Sequence, residues 1–138
     1  HSACILVSDI TRPTPNGAVL AHIMAELEAG GISRDNLTIL IATGLHRPAP
    51  EEEKRIIVDD ESIFSSTRIV NHYANDDSQH VKLGTTSRGT KLMINREVME
   101  SDLKIAVGCV TAHAQVGFSG GGKIFTTVLS IFLPFFNV

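Results

Sequence analysis

The residues best suited to chemistry lie in three polar loops, each directly after a predicted strand. They combine acid/base groups with cations and are Asp9, Arg12, His46, Arg47, His113 and Lys123. A histidine takes up and releases protons near neutral pH, so two histidines on opposite sides of one small ligand could each give or take a proton. Arg12 and Arg47 offer planar pairs of donors for a carboxylate. This is the arrangement that inversion of a stereocentre in a small acid needs.

The third loop is also rich in glycine. It contains four glycines within six positions, from Gly117 to Gly122, and such a backbone adopts positive φ and approaches a ligand closely without steric cost. We expect a helix to begin near Gly121, where free N–H groups and the positive end of the helix dipole favour an anion beside Lys123. A plain flexible turn explains the glycines but not the histidine and lysine that flank them.

Two other motifs fit the same loop. Residues 117–121 match G-x-S-x-G, the nucleophile elbow of α/β-hydrolases, but that fold places its acid and histidine after the serine. No Asp, Glu or His follows Ser119. Residues 117–123 match the phosphate-binding G-x-x-x-x-G-K pattern, although Ile124 stands where Mg²⁺ binding needs Ser or Thr. A P-loop-like nucleotide binder is therefore an alternative.

Apolar runs alternate with helical patterns along the chain. Residues 3–8, 37–42 and 103–110 are predicted strands, and apolar spacing over residues 17–29, after a capping Asn16, predicts a helix. This alternation predicts an α/β fold with a mostly parallel, Rossmann-like sheet and helices on both faces, in three layers and one domain over residues 1–138. Ligands of such sheets bind beyond the carboxyl ends of the strands. We therefore expect the three loops to converge there.

The middle of the chain carries weaker signals. Residues 68–71 are a predicted short strand, and residues 81–84 and 91–95 are predicted to form a hairpin. His72 is predicted to have a structural role at a strand end, and His80 is predicted to lie on a solvated turn. Asn95 is a predicted cap for one helical turn.

Composition narrows the possible functions. The chain has 138 residues, 43% of them hydrophobic, which is enough to form a core. Its net charge is −3 and its Lys and Arg residues are scattered, which excludes a basic stripe for nucleic acid. No segment resembles a membrane span or a signal peptide, so we expect no membrane partner and a cytoplasmic location. Cys4 and Cys109 lie in apolar runs, typical of buried reduced thiols.

Four ordered motifs extend from Val7 to Lys123. They are SDITRP at residues 8–13, TGLHRP at 43–48, NH at 71–72, and His113 followed by GFSGGGK at 117–123. In kind, order and separation they resemble the N-terminal domain of the nickel-dependent lactate racemase family. The resemblance implies an isomerase that racemises or epimerises a 2-hydroxy acid by hydride transfer to a nickel-pincer nucleotide.

The resemblance also implies roles for particular residues. His46 and His113 match the paired acid/base histidines, and Lys123 matches the lysine that links covalently to the cofactor. Arg47 is expected to contact the substrate. The other residues expected to bind the cofactor are Asp9, Arg12, Ser119, Gly120 and Gly121. Asp9 is alternatively expected to orient a histidine or a ligand hydroxyl.

The chain departs from the family after Lys123. In the family a histidine that ligates nickel follows this lysine, whereas none follows it here. No other cluster has metal-ligand spacing, so we expect no metal site, a C-terminal domain that is absent, and a fragment that is inactive alone. We expect that domain or a second copy of the chain to cover the apolar segment 131–138. A degenerate, non-catalytic binding domain of the same fold is the remaining alternative.

Overall fold

The computed structural model of the chain describes residues 1–87, 89, 91–114 and 117–125. Its strands are β1 (Ala3–Ser8), β2 (Leu37–Ala42), β3 (Arg68–Asn71), β4 (His80–Thr85), β5 (Lys91–Asn95), β6 (Leu103–Ala106), β7 (Ala112–His113) and β8 (Gly117–Phe118). Its helices are α1 (Asn16–Ala29), α2 (Glu51–Val58), α3 (Glu61–Ser66) and α4 (Arg96–Glu100). Single 3₁₀ turns lie at Arg34–Asn36 and Asp77–Gln79.

Four of the strands form one parallel sheet in the order β3-β2-β1-β6. Ala3 at the start of β1 lies opposite Leu37 on one side and Leu103 on the other. All of β1 up to Val7 is buried, as expected for a parallel strand covered on both faces. The predicted α/β fold with a mostly parallel sheet is confirmed.

Side chains that alternate along β1 and β2 enter two separate cores. On one face, Ile5 and Ile39 pack with residues of α1, α2 and α3, which are Leu20, Met24, Leu27, Ile57, Val58 and Ile63. On the other face, Leu6 and Leu40 pack with Val98 of α4 and with Ile124. The glycine-rich loop therefore ends in a residue that anchors it to the sheet.

The structure corrects two predicted boundaries. Helix α1 begins at Asn16 instead of being capped by it: Pro15 occupies the cap position, and the Asn16 side chain makes no capping hydrogen bond. Strand β6 ends at Ala106, four residues before the predicted end, because the chain turns away where Gly108 meets the glycine loop. A Cβ atom at Gly108 would lie 3.6 Å from both Gly120 Cα and Ser8 Oγ.

The two cysteines differ in exposure. Cys4 is fully buried, and burial raises the pKa of its thiol to about 12, whereas Cys109 is half-buried; both are free thiols. None of the helices in the described part of the chain has the length and apolarity that a membrane span requires. The apolar segment 131–138 lies outside the described residues.

A buried histidine pair joins the β4–β5 hairpin to the end of β3. His80 is 4% exposed, so its predicted place on a solvated turn is wrong; it starts β4 and packs edge-on against buried His72, with ring centroids 5.1 Å apart. His72 Nδ1 accepts a hydrogen bond from Asn95 Nδ2 (3.1 Å), and His80 Nδ1 donates to the Asp76 carbonyl (2.8 Å). Both Nε2 atoms are buried without a hydrogen-bond partner.

This pair makes stability depend on pH. Burial, and then the neighbouring His80, lower the pKa of His72 from 6.5 to about 4. The unfolded chain therefore binds more protons between these pH values, so stability is lost as pH falls through this window. We expect the free energy of unfolding to drop by about 2 kcal/mol between pH 7 and pH 5.

Urea denaturation at the two pH values checks this expectation. The variant His72→Gln should show a weaker pH dependence, whereas His22→Gln, which alters an exposed histidine of α1, should behave as the wild type does. An equal pH dependence in His72→Gln and wild type would contradict it.

Candidate functional site

Three loops meet at the carboxyl edge of the parallel sheet. They follow β1, β2 and β6, and they carry the predicted site residues. The connections after β1 and β2 lead to β2 and then β3 on one side of β1, whereas the chain later returns to place β6 on its other side. A crevice forms at such a switch point and is the usual ligand site of open α/β sheets.

Asp9 connects the first two loops. It directly follows β1, its carboxylate is buried, and its Oδ2 lies 2.5 Å from His46 Nδ1. A carboxylate only accepts hydrogen bonds at neutral pH, so His46 Nδ1 carries the proton and the other ring nitrogen, Nε2, carries the lone pair of the neutral ring. The His46 side chain is 56% exposed. The pairing of Asp9 with His46 places a proton acceptor at the edge of the sheet.

Buried Thr43 fixes the loop after β2 through three hydrogen bonds. Its amide donates to the Ile41 carbonyl (3.0 Å), its hydroxyl donates to the His72 carbonyl (2.7 Å), and its own carbonyl accepts from the His46 amide (3.0 Å). From the sequence, Thr43 was named only as the first residue of the TGLHRP motif, and no role was predicted for it. Its position at the end of an apolar strand was the available signal, because a polar residue there needs partners once it is buried.

Arg47, predicted to contact a substrate, is directed toward α2. Its guanidinium makes two hydrogen bonds to the Glu53 carboxylate, at 2.5 and 3.1 Å. These hydrogen bonds raise the pKa of Arg47 above its ordinary value. Glu53 lies in the first turn of α2, and its pairing with Arg47 was not predicted from the sequence.

Arg12 and Lys123 place two cations near His113, across the first and third loops. Burial, followed by the charges of Lys123 and Arg12, lowers the pKa of His113. Burial and the charge of Arg12 also lower the pKa of Lys123. The charge of Arg12 thus acts on both His113 and Lys123, and the charge of Lys123 acts on His113. The two cations favour an anionic ligand, and a lysine whose pKa is lowered is a better nucleophile.

Hydrogen bonds of the Ser119 side chain fix the conformation of the glycine-rich loop. The short strands β7 and β8 pair antiparallel, with His113 opposite Gly117. Directly after β8, the buried Ser119 hydroxyl accepts from the Thr111 amide (3.0 Å) and donates to the Cys109 carbonyl (2.9 Å). A hydrolase nucleophile needs an exposed hydroxyl, so this geometry argues against the nucleophile elbow. Its observed contacts hold the loop that presents His113.

The glycines that follow have different surroundings. Gly120 has φ +72°, and a Cβ atom there would lie 2.8 Å from the Cys109 carbonyl oxygen. Gly121 has φ +54°, and a Cβ atom there would meet nothing within 4 Å. Amides of Lys123, Ile124 and Phe125 then donate to the carbonyls three residues earlier, at 3.2–3.3 Å. The backbone thus enters a helical turn at Lys123 and leaves open space beside Gly121, as a ligand-facing position requires.

Within the described residues, no group of three or more His, Cys, Asp and Glu side chains has an arrangement that could hold a metal ion. His46 contacts Asp9, and His113 lies near cations. Neither histidine therefore belongs to a set of ligands in this part of the chain.

Comparison with known proteins identifies the family. Residues 1–130 match the lactate racemase N-terminal domain family, and the chain belongs to it. The lactate racemase of Lactiplantibacillus plantarum is 37% identical over 124 residues, which are 89% of this chain and 28% of that protein. The lactate racemase of Thermoanaerobacterium thermosaccharolyticum is 34% identical over 119 residues, 86% of this chain and 28% of that protein. The chain thus spans under a third of the length of these relatives.

Solved structures show the same fold. The lactate racemase apoprotein of T. thermosaccharolyticum superposes with a TM-score of 0.84 and 30% identity, covering 94% of this chain and 30% of that one. A crystal structure of a Thermotoga maritima protein superposes with a TM-score of 0.81 and 21% identity, covering 94% and 34%, and so shows the fold alone. The comparisons do not favour the alternative functions considered for this chain.

The variant Gly120→Ala tests the geometry of the loop. It forces a left-handed backbone on alanine and places its Cβ against the Cys109 carbonyl, so we expect the free energy of unfolding to fall by about 1–3 kcal/mol. Gly122→Ala is the matched control, because a Cβ there meets nothing within 4 Å. Urea denaturation measures both variants, and equal stability of the two would contradict this geometry.

Proposed function

We propose that this chain is the part of a lactate-racemase-like isomerase that supplies its two proton-transferring histidines. The first loop carries the argument, because it is linked to both. Asp9 contacts His46 at 2.5 Å, and the charge of Arg12 acts on His113. A small acid bound at this edge of the sheet would therefore lie within reach of both imidazoles. Family membership and the names of the relatives support a hydroxy acid as substrate.

The histidines would exchange the hydroxyl proton of a 2-hydroxy acid. His46, with Nδ1 held by Asp9, offers the lone pair of Nε2 to one enantiomer. The lowered pKa of His113 favours its neutral ring, and this histidine would serve the other enantiomer. When the 2-hydroxy acid is formed again, the same histidines return the proton to its hydroxyl group. The family's nickel-pincer nucleotide would supply hydride acceptance and return at C2.

The described residues fit the anionic, covalently attached part of such a cofactor. Lys123 has a lowered pKa, which favours bond formation by its amine, and Arg12 lies within electrostatic reach of it. Gly121 leaves space beside the lysine. Ser119 and Gly120 would contribute by shaping the loop. Holding nickel needs ligands beyond the described residues.

The Arg47 guanidinium would release the Glu53 carboxylate and bind the carboxylate of the substrate instead. The guanidinium already holds one carboxylate through two donors, and a 2-hydroxy acid offers the same group. We assign residues 1–138 to one domain. The relatives are more than three times as long, and a further, C-terminal domain of such a protein would supply the remaining substrate contacts.

Covalent attachment can be tested by intact-protein mass spectrometry after production in a host that makes the cofactor. We expect an added mass that peptide mapping places on Lys123 and that Lys123→Ala abolishes. Lys104→Ala is the matched control, since Lys104 lies on β6 and bonds the Ser101 carbonyl. Unmodified wild-type protein would contradict this role and would favour the non-catalytic binding domain.

Substitution of the histidines tests their role in proton transfer. In a longer, cofactor-loaded protein that contains this chain and the further domain and interconverts D- and L-lactate, His46→Gln and His113→Gln should each lower kcat by about 10²–10⁴-fold. This is the usual contribution of a general acid/base. His22→Gln should leave kcat unchanged, because His22 is exposed on α1. Wild-type activity in either site variant would remove that histidine from the mechanism.

A further inference from the structure

Thr11 holds the Asp9 carboxylate on the side away from His46. Its hydroxyl donates to Asp9 Oδ1 at 2.6 Å, and its amide donates to the same oxygen at 3.2 Å. The other oxygen, Oδ2, is the one that lies 2.5 Å from His46 Nδ1. Every proton in this chain of hydrogen bonds is therefore directed toward Asp9, which only accepts.

We propose that Thr11 is a positioning residue: it fixes the Asp9 carboxylate so that His46 keeps its proton on Nδ1 and its lone pair on Nε2. The consequence for catalysis rests on the proposed function, in which Nε2 exchanges the substrate proton. The tautomer itself depends only on the hydrogen bonds among these three residues.

Exposure explains why this control is needed. The His46 side chain is 56% exposed, so little packing holds its ring, whereas the Asp9 side chain is 9% exposed. The ring is oriented by the carboxylate, and the carboxylate is oriented by Thr11. If Oδ1 lost its hydroxyl donor, the carboxylate could turn and Oδ2 would leave His46 Nδ1.

An ordinary turn at Asp9 does not explain why the Thr11 hydroxyl bonds its carboxylate. A carboxylate that accepts the amide two residues later forms an ordinary Asx turn, and this needs no hydroxyl group. Here the hydroxyl lies 0.6 Å closer to Oδ1 than the amide does, so it is the shorter, stronger anchor. The next two residues offer no replacement from the backbone: the Arg12 amide donates to the Asp9 carbonyl (3.1 Å), and Pro13 has no amide proton.

The test compares four forms of the 138-residue chain by ¹⁵N NMR of the His46 ring, at a pH where that ring is neutral. Wild type and Thr11→Ser should show the Nδ1–H tautomer, and Thr11→Val should shift His46 toward Nε2–H. Thr14→Val is the matched control, because the buried Thr14 hydroxyl has no hydrogen-bond partner, and it should match wild type. An unchanged tautomer in Thr11→Val would overturn the proposal.

Two further measurements separate positioning from stability and from the proposed function. If Thr11 served only the turn, Thr11→Val would lower the melting temperature and leave the tautomer as it was, which also overturns the proposal. In racemising protein, Thr11→Val should lower kcat by about 10-fold at constant KM, and Thr11→Ser should restore it. A tautomer that responds to Thr11, together with full activity of His46→Gln, would refute the proposed function alone.

Discussion

The contact between the Asp9 carboxylate and the His46 imidazole is the interaction on which the site depends. A buried carboxylate is costly without partners, and Asp9 lies at the end of the central strand β1, in which Ala3 to Val7 are almost completely buried. The rigid sheet therefore fixes the carboxylate, and the carboxylate fixes an exposed histidine from the neighbouring loop. The buried sheet thus determines the orientation of the His46 ring, although few packing contacts constrain that ring.

The third loop follows a different principle. Its conformation comes from the Ser119 hydroxyl and from the left-handed backbone of Gly120, and Ile124 anchors its end in the core. The loop can then hold Lys123 near the like charge of Arg12. Burial, followed by the neighbouring cations, lowers the pKa values of His113 and Lys123. An anionic ligand bound beside Arg12 and Lys123 would offset this like-charge repulsion.

Local patterns were enough to predict much of this fold. Buried parallel strands read as apolar runs, so β1, β2 and the polar loops after them could be recognised. Side-chain partners between distant segments could not, because spacing along the chain does not show them. His80 looks solvated in sequence, yet the β4–β5 hairpin buries it against His72. Arg47 looks free for a ligand, yet α2 brings Glu53 to it. The role of Ser119 in closing its loop depends on Cys109, which is ten residues earlier.

The central claim is that His46 and His113 face one ligand across the loop that carries Asp9 and Arg12. A titration with lactate, followed through the NMR ring signals of both histidines, tests it most directly, with exposed His22 as the internal reference. We expect the signals of His46 and His113 to move together with one dissociation constant while those of His22 stay in place. Movement of only one histidine, different constants for the two, or no response from either would contradict it.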